Sequence, residues 1–103
     1  MKVYVKKENL GVNAVGEYNS EDGSLIVLKG STVSSDVAKS EKFRGASSII
    51  SKRKDTVKDN TTICDVAFNS PSTASNFVTG RSTNGYIVWC DESGKKLKEI
   101  LGR

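Results

Sequence analysis

The chain has 103 residues, with sixteen Lys and Arg against twelve Asp and Glu, a formal charge of +4 and no histidine. That length fits one α+β domain over residues 1–103, and no stretch reaches the ~20 apolar residues a bilayer-spanning helix needs. Without histidine there is no ordinary general base near neutral pH, no Ser-His or Cys-His pair and no histidine metal ligand, so neither catalysis, a cofactor nor a zinc site is expected.

The N-terminal MKVYVKKENL is basic but lacks the apolar centre of a secretory signal, which points to a cytoplasmic protein. Val3–Val5 alternates weakly as a first strand. Residues 13–19 and 24–30 are β-rich, joined by a polar turn at Asp22-Gly23, where glycine accepts a positive φ. Gly16, inside the second strand, marks a bulge or a close backbone approach. Residues 31–40 form a polar connector. Helical spacing of Phe43, Ala46, Ile49 or Ile50, and Arg53 then predicts a helix that Ser40 caps and Gly45 weakens.

Residues 58–62 read as a turn, and TICDVAF (62–68) as a strand by its β-branched content. Ser70-Pro71 opens a short helix, because proline at the first helical position loses no hydrogen bond and serine caps the free N–H groups. Ala74, Phe77 and Val78 form its inward stripe, and Gly80 ends it. Asn84-Gly85 predicts a primed turn into a strand YIVWC (86–90), with Ile87 and Trp89 on one side. A turn around Gly94 leads to a final amphipathic turn at Leu97, Ile100 and Leu101. The expected fold is a mostly antiparallel sheet of about five strands with two or three short helices packed on it. Cys64 and Cys90, each beside an apolar run, are expected as buried free thiols instead of a disulfide.

Several of these residues recur together in a known pattern. Ala14-Val15-Gly16, Val27 to Ser31, Phe68, Ser70-Pro71-Ser72, Ala74, Phe77, Gly80, Asn84-Gly85, Trp89, Gly94-Lys95 and Leu97 resemble the family described as domain of unknown function 4357, over about residues 14–101. The resemblance implies a domain appended to GIY-YIG-type nucleases and restriction-modification proteins. It also implies kinship with the domain associated with restriction adenine methylases, which is proposed to read DNA. Ser75 and Tyr86 depart from the pattern, the latter where related domains carry tryptophan beside the turn.

Two clusters are candidate nucleic-acid contacts. Between residues 39 and 58 lie Lys39, Lys42, Arg44, Lys52, Arg53, Lys54 and Lys58 against only Glu41 and Asp55. A solvated helix face explains this as well as an electrostatic footprint for phosphates does, and the helix macrodipole alone favours cations at a helix end. The second cluster is the loop Arg81, Ser82, Thr83 and Asn84, which offers donors and no acid. It serves equally to join helix and strand. Trp89 reads as a core anchor. If Lys52, Arg53, Lys54 and Arg81 met about four phosphates, the salt slope would be about −3.6. The expected function is therefore a non-catalytic DNA-binding accessory domain that serves a nuclease or methyltransferase. The alternative is a structural module packed against such a catalytic partner through an exposed apolar patch.

Overall fold

The computed structural model describes residues 1–35, 37 and 46–102. The expected helix cap at Ser40, with Phe43, Gly45 and the cations Lys39, Lys42 and Arg44, lies outside them. Strands β1 (Lys2–Lys7), β2 (Val12–Tyr18), β3 (Leu25–Val27) and β6 (Val66–Phe68) form an antiparallel sheet in the order β1-β2-β3-β6. A separate ribbon pairs β4 (Val57–Lys58) with β5 (Thr61–Thr62). Asp59 and Asn60 both take positive φ (52° and 61°) between them, the backbone that a two-residue hairpin loop demands. Helices α1 (Ala46–Thr56), α2 (Pro71–Thr79), α3 (Gly85–Val88) and α4 (Leu97–Leu101) complete the α+β fold. No helix among the described residues is long and apolar enough to cross a membrane.

Alternation decides which face of the sheet is covered. Val3 and Val5, Ala14, Leu25 and Val27, and Val66 and Phe68 point inward, where α2 packs across β2, β3 and β6. Phe77 of α2 is fully buried, its ring centroid 5.0 Å from that of Phe68. The opposite face carries Tyr4, Val15 and Leu28, each half-buried, and Ile26, which is exposed. Gly16 is a close approach: a Cβ there would lie 2.8 Å from Leu25 Cδ2 and 3.2 Å from the Trp89 ring.

The start of α2 matches the sequence reading. Ser70 Oγ accepts the Thr73 N–H at 3.2 Å, Pro71 occupies the first helical position, and Gly80 closes the helix at φ +70°. Ser70→Ala should therefore cost about 1 kcal/mol, read as a lower urea midpoint with an unchanged slope.

Three expectations are corrected. Residues 86–90 are no strand: Gly85–Val88 is a helical turn, and only Cys90 pairs in β fashion, bridging Tyr4 and Lys96. Asn84 caps this turn, its Oδ1 accepting the Tyr86 N–H at 3.0 Å, where a hairpin turn was expected. Ile87 and Trp89 consequently part company, the first 44% exposed and the second fully buried. The strand expected over 62–68 is divided, because Thr62 belongs to the ribbon and Val66–Phe68 to the sheet, with Ile63 half exposed between them. The thiols are free but not buried: Cys64 is exposed and Cys90 half-buried.

Candidate nucleic-acid interface

The SPS, NG and W residues of the sequence pattern meet in one place, and their polar atoms face each other. The Trp89 indole N–H donates to the Pro71 carbonyl at 3.0 Å. Ser72 Oγ accepts the Gly85 N–H at 3.0 Å. Gly85 lies directly on the Pro71–Ser72 peptide, so close that a Cβ would fall 2.2 Å from the Pro71 carbonyl carbon. These residues clamp α3 onto the start of α2. Their work is structural.

The seven candidate contacts divide in two. Arg53 turns inward. Its Nε and Nη2 donate to the Phe77 carbonyl (3.0 and 2.6 Å), Nη1 to the Ser34 carbonyl (2.8 Å), and Nη2 also to Ser34 Oγ (3.1 Å). The guanidinium thus caps the last turn of α2, where carbonyls lack helical partners and a cation is favoured by the dipole. Burial lowers its pKa, yet an arginine remains charged. Thr83 is also occupied: its N–H and Oγ1 donate to Asn76 Oδ1 at 2.7 and 2.9 Å, and Asn84 caps α3. Lys52, Lys54, Arg81 and Ser82 are exposed.

The structure brings the two clusters to the same helix. Arg53 grips the carbonyl of Phe77, and Arg81 follows directly on the Gly80 cap. Asn76 holds Thr83 on one side and, with Lys52, lines a groove on the other. This groove, about 530 Å³, runs between α1, β6 and α2. Ser48 and Lys52 of α1, Asn69, and Thr73 and Asn76 of α2 supply its polar groups, over Phe68 and Phe77. Lys52 Nζ rests 5.6 Å from the centre of the Phe68 ring. Asn76 spends its carbonyl oxygen on Thr83, so its amide NH₂, a donor, is the end left for the groove.

The lining of this groove differs in charge from that of two other hollows. None of its described lining residues is a carboxylate. A second hollow of about 540 Å³ beside β1 sets Lys6, Lys7 and Lys96 against Asp91 and Glu92. Asp91 is held below the usual carboxylate range by hydrogen bonds from the Ser93 side chain and the Lys95 N–H, so it stays charged at neutral pH. A third, along α1, shares Ser48 and Lys52 with the groove and adds Asp55. Asn69, Thr73, Asn76 and Ala67 carried no signal in the sequence; their juxtaposition depends on how α1 and α2 flank the sheet edge.

A family model for "Domain of unknown function (DUF4357)" matches residues 3–101. The chain belongs to the DUF4357 family. The match takes in β1, which the residue pattern beginning at Ala14 leaves out, and with it the Tyr4–Cys90 bridge that anchors the end of the Trp89 segment. In this DUF4357 domain the residues of the SPS…NG…W pattern hold elements together, whereas the exposed cations lie outside it. No curated protein and no solved structure matches the chain.

Proposed function

We propose that this DUF4357 domain is a non-catalytic nucleic-acid-binding accessory module, with the α1–β6–α2 groove as its seat and Lys54 and Arg81 as outlying phosphate contacts. The observation that carries this is the groove's inventory among the described residues: an ammonium, side-chain donors and no carboxylate. Anionic ligands suit such a surface, and phosphate contacts dominate nucleic-acid affinity. The company of nucleases or methyltransferases implied by the sequence resemblance fits a module of this kind. Arg53 is left out of the contact set because its donors are engaged.

With Lys52, Lys54 and Arg81 on about three phosphates, the salt slope should be roughly −2 to −3, and affinity should fall on the order of twenty- to fortyfold between 50 and 200 mM salt. Lys52→Glu should weaken binding about tenfold and flatten that slope by about one. Fluorescence titration of a labelled oligonucleotide at the two salt concentrations reads both effects. Binding that ignores salt and the Lys52 charge would count against the reading.

A second reading has its own observation. The sheet face away from α2 sets half-buried Tyr4 beside half-buried Val15, and Ile26, 38% exposed, beside Ala67. A catalytic partner domain packing there would associate with little dependence on salt.

A further inference from the structure

The direction of one peptide group narrows the ligand of the groove, given the binding reading above. Tyr18 N–H donates to the Met1 carbonyl, so even-numbered residues of β2 bond to β1 and odd-numbered ones to β3. The Leu28 N–H bond to the Val15 carbonyl agrees. The same alternation gives Leu25 and Val27 to Phe68 and Val66. Ala67 therefore turns its N–H and C=O away from β3. β6 ends the sheet, and Ala67 is exposed and lines the groove. One backbone donor and one backbone acceptor thus stand side by side on the groove wall.

The shortness of β6 selects what such an edge can hold. An added peptide strand draws its affinity from several successive main-chain bonds, and a three-residue strand offers one outward pair. A nucleobase needs only one neighbouring donor and acceptor, and an unpaired base has that edge available. We infer that the groove seats a single unpaired nucleotide of a nucleic-acid strand, its base edge on the Ala67 N–H and C=O and its phosphate on Lys52. Asn76 and Thr73 supply further donors beside it. Every base presents an adjacent donor and acceptor, so the site tolerates sequence and discriminates strandedness.

The test compares four probes on the full chain: labelled hexathymidylate, its uridine ribonucleotide equivalent, a DNA duplex of the same length, and thymidine monophosphate. Either or both single strands should bind at least about tenfold more tightly than the duplex and the mononucleotide. Ala67→Pro removes the outward N–H without touching a ladder bond and should weaken single-strand binding about tenfold. Amide exchange in the unaltered protein gives an independent reading should that variant fail to fold: saturating single strand should slow the Ala67 N–H about tenfold or more. Equal binding of duplex and single strand, or an Ala67 amide that exchanges unchanged, would overturn the unpaired-base assignment and leave the broader binding reading standing. Mononucleotide binding as tight as the hexamer would make this a site for free nucleotides and overturn the strand. No binding of any oligonucleotide would remove both.

Discussion

Gly85→Ala should destabilise the domain by about 3 kcal/mol, a fall in melting temperature of roughly 10–20 °C. A methyl at this position would sit 2.2 Å from the Pro71 carbonyl carbon, 2.3 Å from its oxygen and 2.4 Å from the Ser72 nitrogen. All three are backbone atoms, so no side-chain rotation relieves the overlap. Separating them would also disturb the Gly85 N–H bond to Ser72 Oγ and the Trp89 bond to the Pro71 carbonyl. The need for glycine here is spatial: Gly85 is not among the positive-φ glycines. Gly23 is the contrasting case, at φ +76° with nothing within 4 Å of a Cβ. Gly23→Ala should cost only the backbone strain, about 1–2 kcal/mol. Thermal melts of the two variants that coincided would contradict the packing of α3 on α2.

Arg53→Ala should cost about 2 kcal/mol, because it strips a charged donor from the Phe77 carbonyl and the Ser34 carbonyl together. Arg53→Lys should fall between, since an ammonium has no planar fork with which to hold both carbonyls. Neither change should alter nucleic-acid affinity more than about threefold in protein that remains folded. Lys52, one residue earlier in the same helix, should show the reverse: a large effect on binding and little on the urea midpoint. A variant of Arg53 that binds poorly while melting normally would move this residue back to the contact surface.

Much of the architecture was legible because it is written in local chemistry. The Asp-Gly turn, the Ser70-Pro71 helix start, the Gly80 stop and the β-rich runs of β1 to β3 each depend on neighbours in the chain. The segment 84–90 is ambiguous in sequence for an equally physical reason. A short apolar run fits a buried strand or a helical turn, and Asn-Gly is both a hairpin signal and a cap followed by a small residue. What chose between them was the Pro71–Ser72 peptide, thirteen residues away in sequence, against which only glycine fits. Cys64 looked buried because its neighbours are apolar, but the chain leaves the ribbon before it enters the sheet, and residue 64 falls in the gap.

The site was legible as charge but not as geometry. Lys52-Arg53-Lys54 is visibly basic, yet sequence cannot say that the middle cation faces the end of another helix while its neighbours face solvent. Sequence offers Thr83 and Asn84 alike as donors for a ligand; Thr83 spends its N–H and Oγ1 on Asn76, whereas Asn84 caps α3 with its Oδ1 and keeps its amide NH₂ as a donor. Asn69, Thr73 and Asn76 are ordinary polar positions in sequence until α1 lies across from them.

Backbone amide shifts recorded while a short oligonucleotide is added would test the proposed seat most directly. The largest changes should cluster at residues 48–52, 67–69 and 73–77, with smaller ones near Lys54 and Arg81. Changes confined to Tyr4, Val15, Ile26 and Leu28 would instead place the ligand on the sheet face away from α2, and the groove would lose its role.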